Sequence, residues 1–438
     1  MIEPRILKGF RDSLPQQELR RKDLITCLES VFSSFGLVPI DTPVLEYTEV
    51  LLGKGGGETD KQVYTFTDHG GREVAMRFDL TVPFARYMAS HAHELPLPFK
   101  RYHVDKVWRG ENTQKGRYRE FYQCDFDIVG IDHVSADFEI LLIINESLKR
   151  LGIPAFSVHL SHRGIFNSFL ADLGIADRAP DILRCVDKMQ KIGLSEVEAQ
   201  LQEIITIQQT RDVLAFISAS GTPLEVLSAL GDLCGKAQEH IHRLSILTDF
   251  AMDAGCADTL VINPSITRGL DYYTGVVYET YLDELEAIGS ICSGGRYNDL
   301  ASLYTKQKLP GVGASIGLDR LLAALDELSD TPSRSSTADV LVICMDESRM
   351  GDYQRIACRL REAGLHAEVS LTKRRLPQQF SYAERVGIPF ALILGEEELE
   401  SGTYTLRDLQ SRMQERLQSI EKLVNRCRLL TGKGAHTL

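Results

Sequence analysis

Between residues 119 and 129 the chain alternates without a break, and the residues that alternate leave few folds open. Tyr122, Cys124, Phe126 and Ile128 fall on one side of an extended strand; Phe121, Gln123, Asp125 and Asp127 fall on the other. A period of two puts the first set on a core. The second set has no lysine and is rich in short acceptors, which an ordinary solvated sheet face does not require. Residues 74–81 repeat the pattern, with Val74, Met76, Phe78 and Leu80 set against Arg77, Asp79 and Thr81. The spacing predicts two strands, with Asp79 and Thr81 sharing one face and Gln123 and Asp127 sharing another.

The rest of the chain divides by pattern. Leu24, Leu28, Val31 and Phe35 recur at helical spacing over 16–36, and Gly36 ends the run. Strand signals dominate from 37 to about 130, and a helix follows over 135–150, closed by Gly152 and Pro154. Residues 164–257 are helix-rich and read as an inserted module. Strand signals return at 261–297, and Gly311, Gly313 and Gly317 lead into a helix near 318–328. LSDTPSRSST at 328–337 is polar and Ser/Pro-rich, as a linker is. Beyond it, segments at 339–345, 351, 366–371, 376 and 388–395 alternate as βαβαβ, which implies a small parallel or mixed sheet covered by helices. The expected class is an α+β core with an antiparallel sheet (1–163 and 258–327), a helical insertion (164–257), a linker (328–337) and a small α/β domain (338–438).

Composition narrows the setting. The 438 residues carry a net charge of −12, and nearly all of that acidity lies upstream of residue 338. Local basic clusters remain at Lys115, Arg117 and Arg119 and at Lys373, Arg374 and Arg375. Phosphate contacts depend on such patches rather than on net charge, although each cluster taken singly reads first as a solvated face. No apolar run approaches the roughly 20 residues that span a membrane. The first ten residues, with Glu3, Arg5 and Lys8, lack a signal-peptide core. Nine scattered cysteines without a CxxC pair point to free thiols in a reducing cytoplasm. The eleven histidines show no HExxH spacing, so no protein-bound metal is expected. GKGGGETDK at 53–61 lacks the GxxxxGK[ST] spacing of a phosphate loop and reads better as a glycine-rich flap over a pocket.

Five segments in order resemble one family. GLVPIDTPVLE (36–46), WRGEN (108–112) with GRYREFYQCDFDIVG (116–130), and GVGASIGLDRLLAAL (311–325) resemble the three motifs of class II aminoacyl-tRNA synthetases. RGLDYYTG (268–275) and SGGRYNDL (293–300) resemble the two signatures of the histidyl-tRNA synthetases, and the C-terminal α/β module resembles that family's anticodon-binding domain. The resemblance implies a histidine–tRNA ligase that forms histidyl-adenylate from L-histidine and ATP and then esterifies tRNA(His). It also implies a homodimer joined around Pro43, magnesium carried by ATP, and tRNA contacts from the loop at 110–118 and from the C-terminal domain. Two rivals share the fold. The histidine-sensing regulatory subunit of ATP phosphoribosyltransferase usually lacks the C-terminal domain and part of the arginine set, and a prolyl or threonyl enzyme would lack the two histidine signatures.

The chemistry agrees with the resemblance. Adenylation brings a carboxylate onto the α-phosphorus of ATP, so the need is for positive charge on phosphate oxygens rather than for a base. Arg109, Arg268 and Arg320 offer three guanidiniums, each of which would otherwise read as half of a surface ion pair. The resemblance gives Arg268 and Arg109 the catalytic roles, Arg268 bridging the histidine carboxylate and the α-phosphate and Arg109 holding that phosphate. Arg320 then meets the γ-phosphate and stacks on adenine, with Glu111 close to the base. Asp79, Thr81 and Gln123 would hold the substrate ammonium. Asp127 and Tyr272 would meet the ring nitrogens, with Tyr273 beside them.

Overall fold

The computed structural model describes residues 1–53, 61–114, 116–266, 272–328 and 334–431. The chain divides into two compact units, one comprising Met1–Arg11 and Leu24–Ser329, the other Asp12–Asp23 and Asp330–Leu438.

The strands of the first unit are β1 (Val38–Pro39), β2 (Leu45–Tyr47), β3 (Thr65–Thr67), β4 (Glu73–Met76), β5 (Phe99–Trp108), β6 (Glu120–Val129), β7 (Phe156–His162), β8 (Leu260–Ile262), β9 (Val276–Leu282), β10 (Cys292–Arg296) and β11 (Gly311–Gly317). Strands β2, β4 and β3 form a small antiparallel sheet. The other eight form one large sheet in the order β1-β5-β6-β11-β10-β9-β7-β8. Its centre is antiparallel throughout, and only the outermost pairs, β1 with β5 and β7 with β8, run parallel.

The alternation of β6 becomes a division of faces. Cys124, Phe126 and Ile128 join a buried apolar cluster with Val312, Ala314 and Ile316 of β11. The opposite face carries Gln123, Asp125 and Asp127, which lie in register with Gly317, Ser315 and Gly313. On that face β11 offers only two glycines and a serine, so a hollow opens on its side of the three polar side chains, while β5 on the other side sets Arg101 beside Asp127. The apolar face is covered by helices: α1 (Pro15–Ser34) contributes Leu28 and Phe32, and α4 (Val134–Arg150), beyond the short α2 (Thr48–Leu52) and α3 (Thr81–His91), contributes Ile140, Ile144 and Leu148.

The helix-rich stretch forms α5 (Arg163–Asp172), α6 (Ala179–Val186), α7 (Met189–Ile192), α8 (Leu194–Gln202), α9 (Ile207–Ile217), α10 (Pro223–Leu233) and α11 (Gln238–Asp253). Thr206 and Thr222 start α9 and α10 with capping boxes that reach Gln209 and Glu225. Ile165, Phe169, Val213 and Leu247 from these helices belong to the same apolar cluster as the sheet. The first unit ends in α12 (Leu318–Leu328), which follows β11 directly.

One expectation fails at 74–81. The strand stops at Met76, and Thr81 opens α3, so Asp79 and Thr81 do not share a strand face. Arg77 is the reason. It is fully buried, donates to the carbonyls of Lys106 and Thr42, and pairs with Asp105. Those partners pull the chain out of the sheet. The Asp79 carboxylate then accepts the backbone N–H of Val82 at 3.0 Å, capping the new helix.

The second unit contains β12 (Val340–Val342), α13 (Met350–Glu362), β13 (Ala367–Val369), α14 (Leu376–Val386), β14 (Phe390–Ile393), α15 (Glu396–Ser401), β15 (Tyr404–Asp408), β16 (Gln414–Leu417) and α16 (Ile420–Thr431). Its sheet, ordered β13-β12-β14-β15-β16, is mixed: the βαβαβ part is parallel, and a hairpin adds two antiparallel strands.

Candidate active site

A cavity of about 160 Å³ lies over the polar face of β6, β11 and β10. Thr81, Arg109, Glu111, Gln123, Asp127, Tyr272, Tyr273 and Arg320 all line it, brought from five separate stretches of sequence. Asp79 stands one layer behind and accepts from the Tyr272 hydroxyl at 3.2 Å. Arg268, Lys115 and residues 54–60 of the glycine-rich stretch lie outside the described residues.

One end of the cavity is a nest of buried carboxylates. Asp79, Asp125 and Asp127 are almost wholly buried, with Arg101 between them. Arg101 pairs with Asp127 at 2.7 Å, and the Tyr297 hydroxyl donates to the other oxygen of Asp127. Thr81 donates to Asp125 at 3.3 Å. Burial disfavours charge in all three. It pushes Asp79 up to about 6, against the pull of the Val82 N–H and Arg109. It pushes Asp127 up to about 7, with Arg101 opposing and Asp125 reinforcing, and it raises Asp125 as well. Gln123 donates to Ser315 at 3.0 Å, while its Oε1 is buried without a donor from the chain. The nest therefore presents acceptors to whatever enters, and favours a cation.

The glycines of β10 and β11 make this possible. A Cβ on Gly313 would lie 2.0 Å from the Asp127 carboxylate, and one on Gly295 would lie 2.9 Å from the Tyr273 ring. Tyr272, Tyr273 and Tyr297 pack edge to face, with Tyr272 at the centre, 5.1 and 6.1 Å from the other two.

The other end is cationic. Arg109 donates through Nε to the carbonyl of Phe78 at 2.8 Å and lies over the Phe121 ring. Arg320 donates to the carbonyl of Ser290 at 2.6 Å. Among the described residues both are tethered to backbone oxygens rather than to carboxylates, so no described carboxylate cancels their charge on the spot. Burial and the neighbouring Arg117 make the Arg320 charge harder to carry. Glu111 pairs with Arg117. Asp319, at the start of α12, pairs with Arg11 and accepts the N–H of Tyr122 at 2.9 Å, which ties this helix to β6.

Sequence reasoning missed Tyr297, Ser293, Ser315, Arg117 and Asp319 as lining residues, and Asp125 and Arg101 as the layer beneath. Asp125 shares the period-two face with Gln123 and Asp127, and Tyr297 and Ser293 lie inside the second signature, so those three signals were available. Arg101 lies on an unremarkable strand. Among the described residues, Asp41, His103 and Asp105 also bring metal-ligand atoms within 4.8 Å of one another, but Arg77 already occupies Asp105.

The histidyl-tRNA synthetase family profile matches residues 9–321, and that of an anticodon binding domain matches residues 339–428. The chain belongs to the histidyl-tRNA synthetase family. Relatives named histidine–tRNA ligase include that of Treponema denticola, 48% identical over 403 residues, with 91% of this chain and 90% of the relative covered. That of Rhodopirellula baltica is 47% identical over 418 residues, covering 94% and 95%. A crystal structure of histidyl-tRNA synthetase from Nostoc sp. superposes with a TM-score of 0.89 at 32% identity, over 98% of this chain and all of that one. A Bacillus halodurans structure described as an ATP phosphoribosyltransferase regulatory subunit/histidyl-tRNA synthetase has a TM-score of 0.75 over 87% of this chain and 97% of its own. At 22% identity it shares the fold, and the regulatory alternative gains no advantage from it. The activity of this synthetase is that of a histidine–tRNA ligase, an aminoacyl-tRNA synthetase.

Proposed function

We propose that the carboxylate end of the cavity takes histidine and the arginine end takes ATP. The observation that carries this reading is the joining, in one cavity, of buried acceptors at one end and two backbone-tethered guanidiniums at the other. The ammonium of histidine would meet Thr81 and Gln123, with Asp79 supplying the charge behind. Its imidazole would lie against Asp127, Tyr272 and Tyr273, where a ring unable to pair those groups is rejected by roughly 10⁴-fold in favourable cases. The α-carboxylate then faces Arg109. Its oxygen forms a bond to the α-phosphorus as the bond to pyrophosphate breaks, and Arg109 and Arg268 share the crowded charge of that transition state. Arg320 would stack on adenine and meet the γ-phosphate beside Glu111, with magnesium arriving on the ATP phosphates. The adenylate is next transferred to the 3′ end of tRNA(His).

Finer assignments belong to the same proposal. Residues 1–163 and 258–327 form the catalytic core, 164–257 a helical insertion, 328–337 a linker and 338–438 the domain that contacts the anticodon, while the loop at 110–118 meets the acceptor stem. The enzyme is a cytoplasmic homodimer. Exposed Val38, Val44, Leu45, Tyr47 and Phe66 around Pro43 support the dimer. The nine cysteines, all free thiols, support a reducing compartment. No helix among the described residues is long and apolar enough to cross a membrane.

Pyrophosphate exchange into ATP, run with each of the twenty amino acids, tests the central reading. Histidine alone should support it; exchange driven by another amino acid would overturn the assignment of the carboxylate end. Sedimentation should give about twice the chain mass of 49.0 kDa, and an active monomer would remove the dimer.

A further inference from the structure

Arg296, in the middle of the second histidine signature, does not reach the cavity. It is 1% exposed and turns to the opposite side of the sheet. There its Nε donates to Oδ1 of Asp137 at 2.8 Å, and its Nη2 lies 2.7 Å from the same oxygen. Asp137 lies in the first turn of α4 and is wholly buried. Its second oxygen, Oδ2, is held at 2.7 Å by Nε of Arg243, which comes from α11 at the far end of the helix-rich stretch. Its main-chain carbonyl accepts the Tyr278 hydroxyl of β9 at 2.9 Å. Asp132 balances the second guanidinium charge, 2.9 Å from Arg243 and 3.3 Å from Arg296.

The same arginine joins the two signatures. Its carbonyl accepts the N–H of Thr274 at 2.7 Å, and its stem passes so close to Gly275 that a Cβ there would lie 3.1 Å away. The next residue is Tyr297, whose hydroxyl holds Asp127. A second tie runs in parallel: Arg163, at the start of α5, donates its backbone N–H to the carbonyl of Gly275 and its Nη1 to the carbonyl of Tyr273, both at 3.0 Å. Both ties link the helix-rich stretch to the segments, just before β9 and just after β10, that carry the cavity tyrosines. A buried ion cluster is a poor device for stability alone, since packed apolar residues of similar volume would serve as well or better. What it does supply is a fixed register between the elements it joins.

We propose that Asp137 is a positioning residue for amino-acid recognition: by gripping Arg296 and Arg243 on its two oxygens, it sets Tyr297 against Asp127 and lets the placement of α11 govern affinity for histidine. This rests on the assignment of the carboxylate end of the cavity to histidine. The nucleotide end, held through Phe78, Ser290 and Asp319, is not part of the chain of contacts and should be insensitive to it.

The test compares Arg243→Gln, Arg243→Lys, Asp137→Asn and Tyr297→Phe, with the Arg243→Gln/Tyr297→Phe double variant, in histidine-dependent pyrophosphate exchange beside thermal unfolding. Asp137→Asn strands the buried Arg296 and the part-buried Arg243 and is prone to misfold, so Arg243, whose side chain reaches the surface, carries the decision. Arg243→Gln should raise KM for histidine about tenfold, well short of the ~10²-fold that a 1 Å misplacement at reacting groups can cost, while KM for ATP stays within twofold. Arg243→Lys should recover part of the loss. The double variant should be no worse than Tyr297→Phe alone, because both act through one contact. A folded Arg243→Gln enzyme with lower melting temperature but unchanged KM for histidine would overturn the proposal. So would equal increases in both KM values, or effects that simply multiply in the double variant. If the unsubstituted enzyme shows no histidine dependence, the function assignment fails, and this proposal with it.

Discussion

At the carboxylate end of the cavity every charged group is buried and answered from within the chain: Arg101 by Asp127, Asp127 by Tyr297, Asp79 by Val82 and Tyr272. At the other end Arg109 and Arg320 are half-buried and, among the described residues, donate to carbonyl oxygens. The first is a preformed mould whose acceptors are short and whose geometry is fixed by strand register. The second holds charge in reserve, with Asp79 acting on Arg109 and Glu111 on Arg320 through space. Selectivity needs the former, because unmatched buried groups penalise the wrong ligand. Rate needs the latter, because uncancelled charge is worth most when anionic character peaks.

The sharpest way to break this contrast is Arg268→Ala. If Arg268 serves the charge-crowded step, single-turnover adenylation should fall by roughly 10²–10³, with far smaller changes in binding of histidine and ATP. Arg268→Lys should rescue only in part, since an ammonium cannot fork onto two oxygens. A variant that melts early yet turns over normally per folded molecule would mean that Arg268 serves stability alone.

Gly313→Ala probes the mould instead. The added methyl would meet the Asp127 carboxylate at 2.0 Å. Overpacking of this kind costs about 1–3 kcal/mol, so KM for histidine should rise by roughly 10- to 100-fold while KM for ATP moves little. Kinetics indistinguishable from the parent would show that the carboxylate is not set by this contact.

Acidity separates the two ends more gently. Asp79 and Asp127 are raised to about 6 and about 7, so each binds a proton in the empty folded enzyme at pH values where it would be ionised in the unfolded chain. Their contribution to stability is complete below about pH 4 and fades as pH rises through 6 to 7. A cationic ligand needs them ionised, so histidine affinity should begin to weaken as pH drops below 7, by up to tenfold per unit for each of the two carboxyls. Binding near pH 6.5 should release protons, visible in calorimetry as a heat that depends on the buffer. A heat independent of buffer would place the ammonium elsewhere. Smallest of all, Tyr272→Phe removes one hydroxyl, 3.2 Å from Asp79, and should cost histidine binding about 0.5–1.5 kcal/mol. A loss several times larger would make Tyr272 the principal recognition group.

What could be read in the sequence follows the same division. The acceptor face of β6 was legible because period-two alternation is local, and Gln123 and Asp127 stand where it puts them. The glycine-rich β11 and the C-terminal βαβαβ pattern were legible for the same reason. Residues 74–81 were not: their alternation reads as a strand, but Arg77 finds its partners 28 to 35 positions away and bends the chain into α3. Strand β7 does alternate, with Phe156, Val158 and Leu160 buried, yet it is short and follows a Gly/Pro turn closely. The roles of Arg101 and Asp319 depend on partners that only the folded sheet brings near.

The closeness of Gly313 to Asp127 carries a consequence for lineages rather than for single molecules. The two positions face each other across adjacent strands, and one has room for a carboxylate only because the other has no side chain. They should therefore drift as a pair. Where a descendant keeps an acid at 127, position 313 should remain glycine however far the rest of the strand diverges. A methyl there should become tolerable only after the acid has been lost, and with it the contact to an imidazole that is proposed for Asp127.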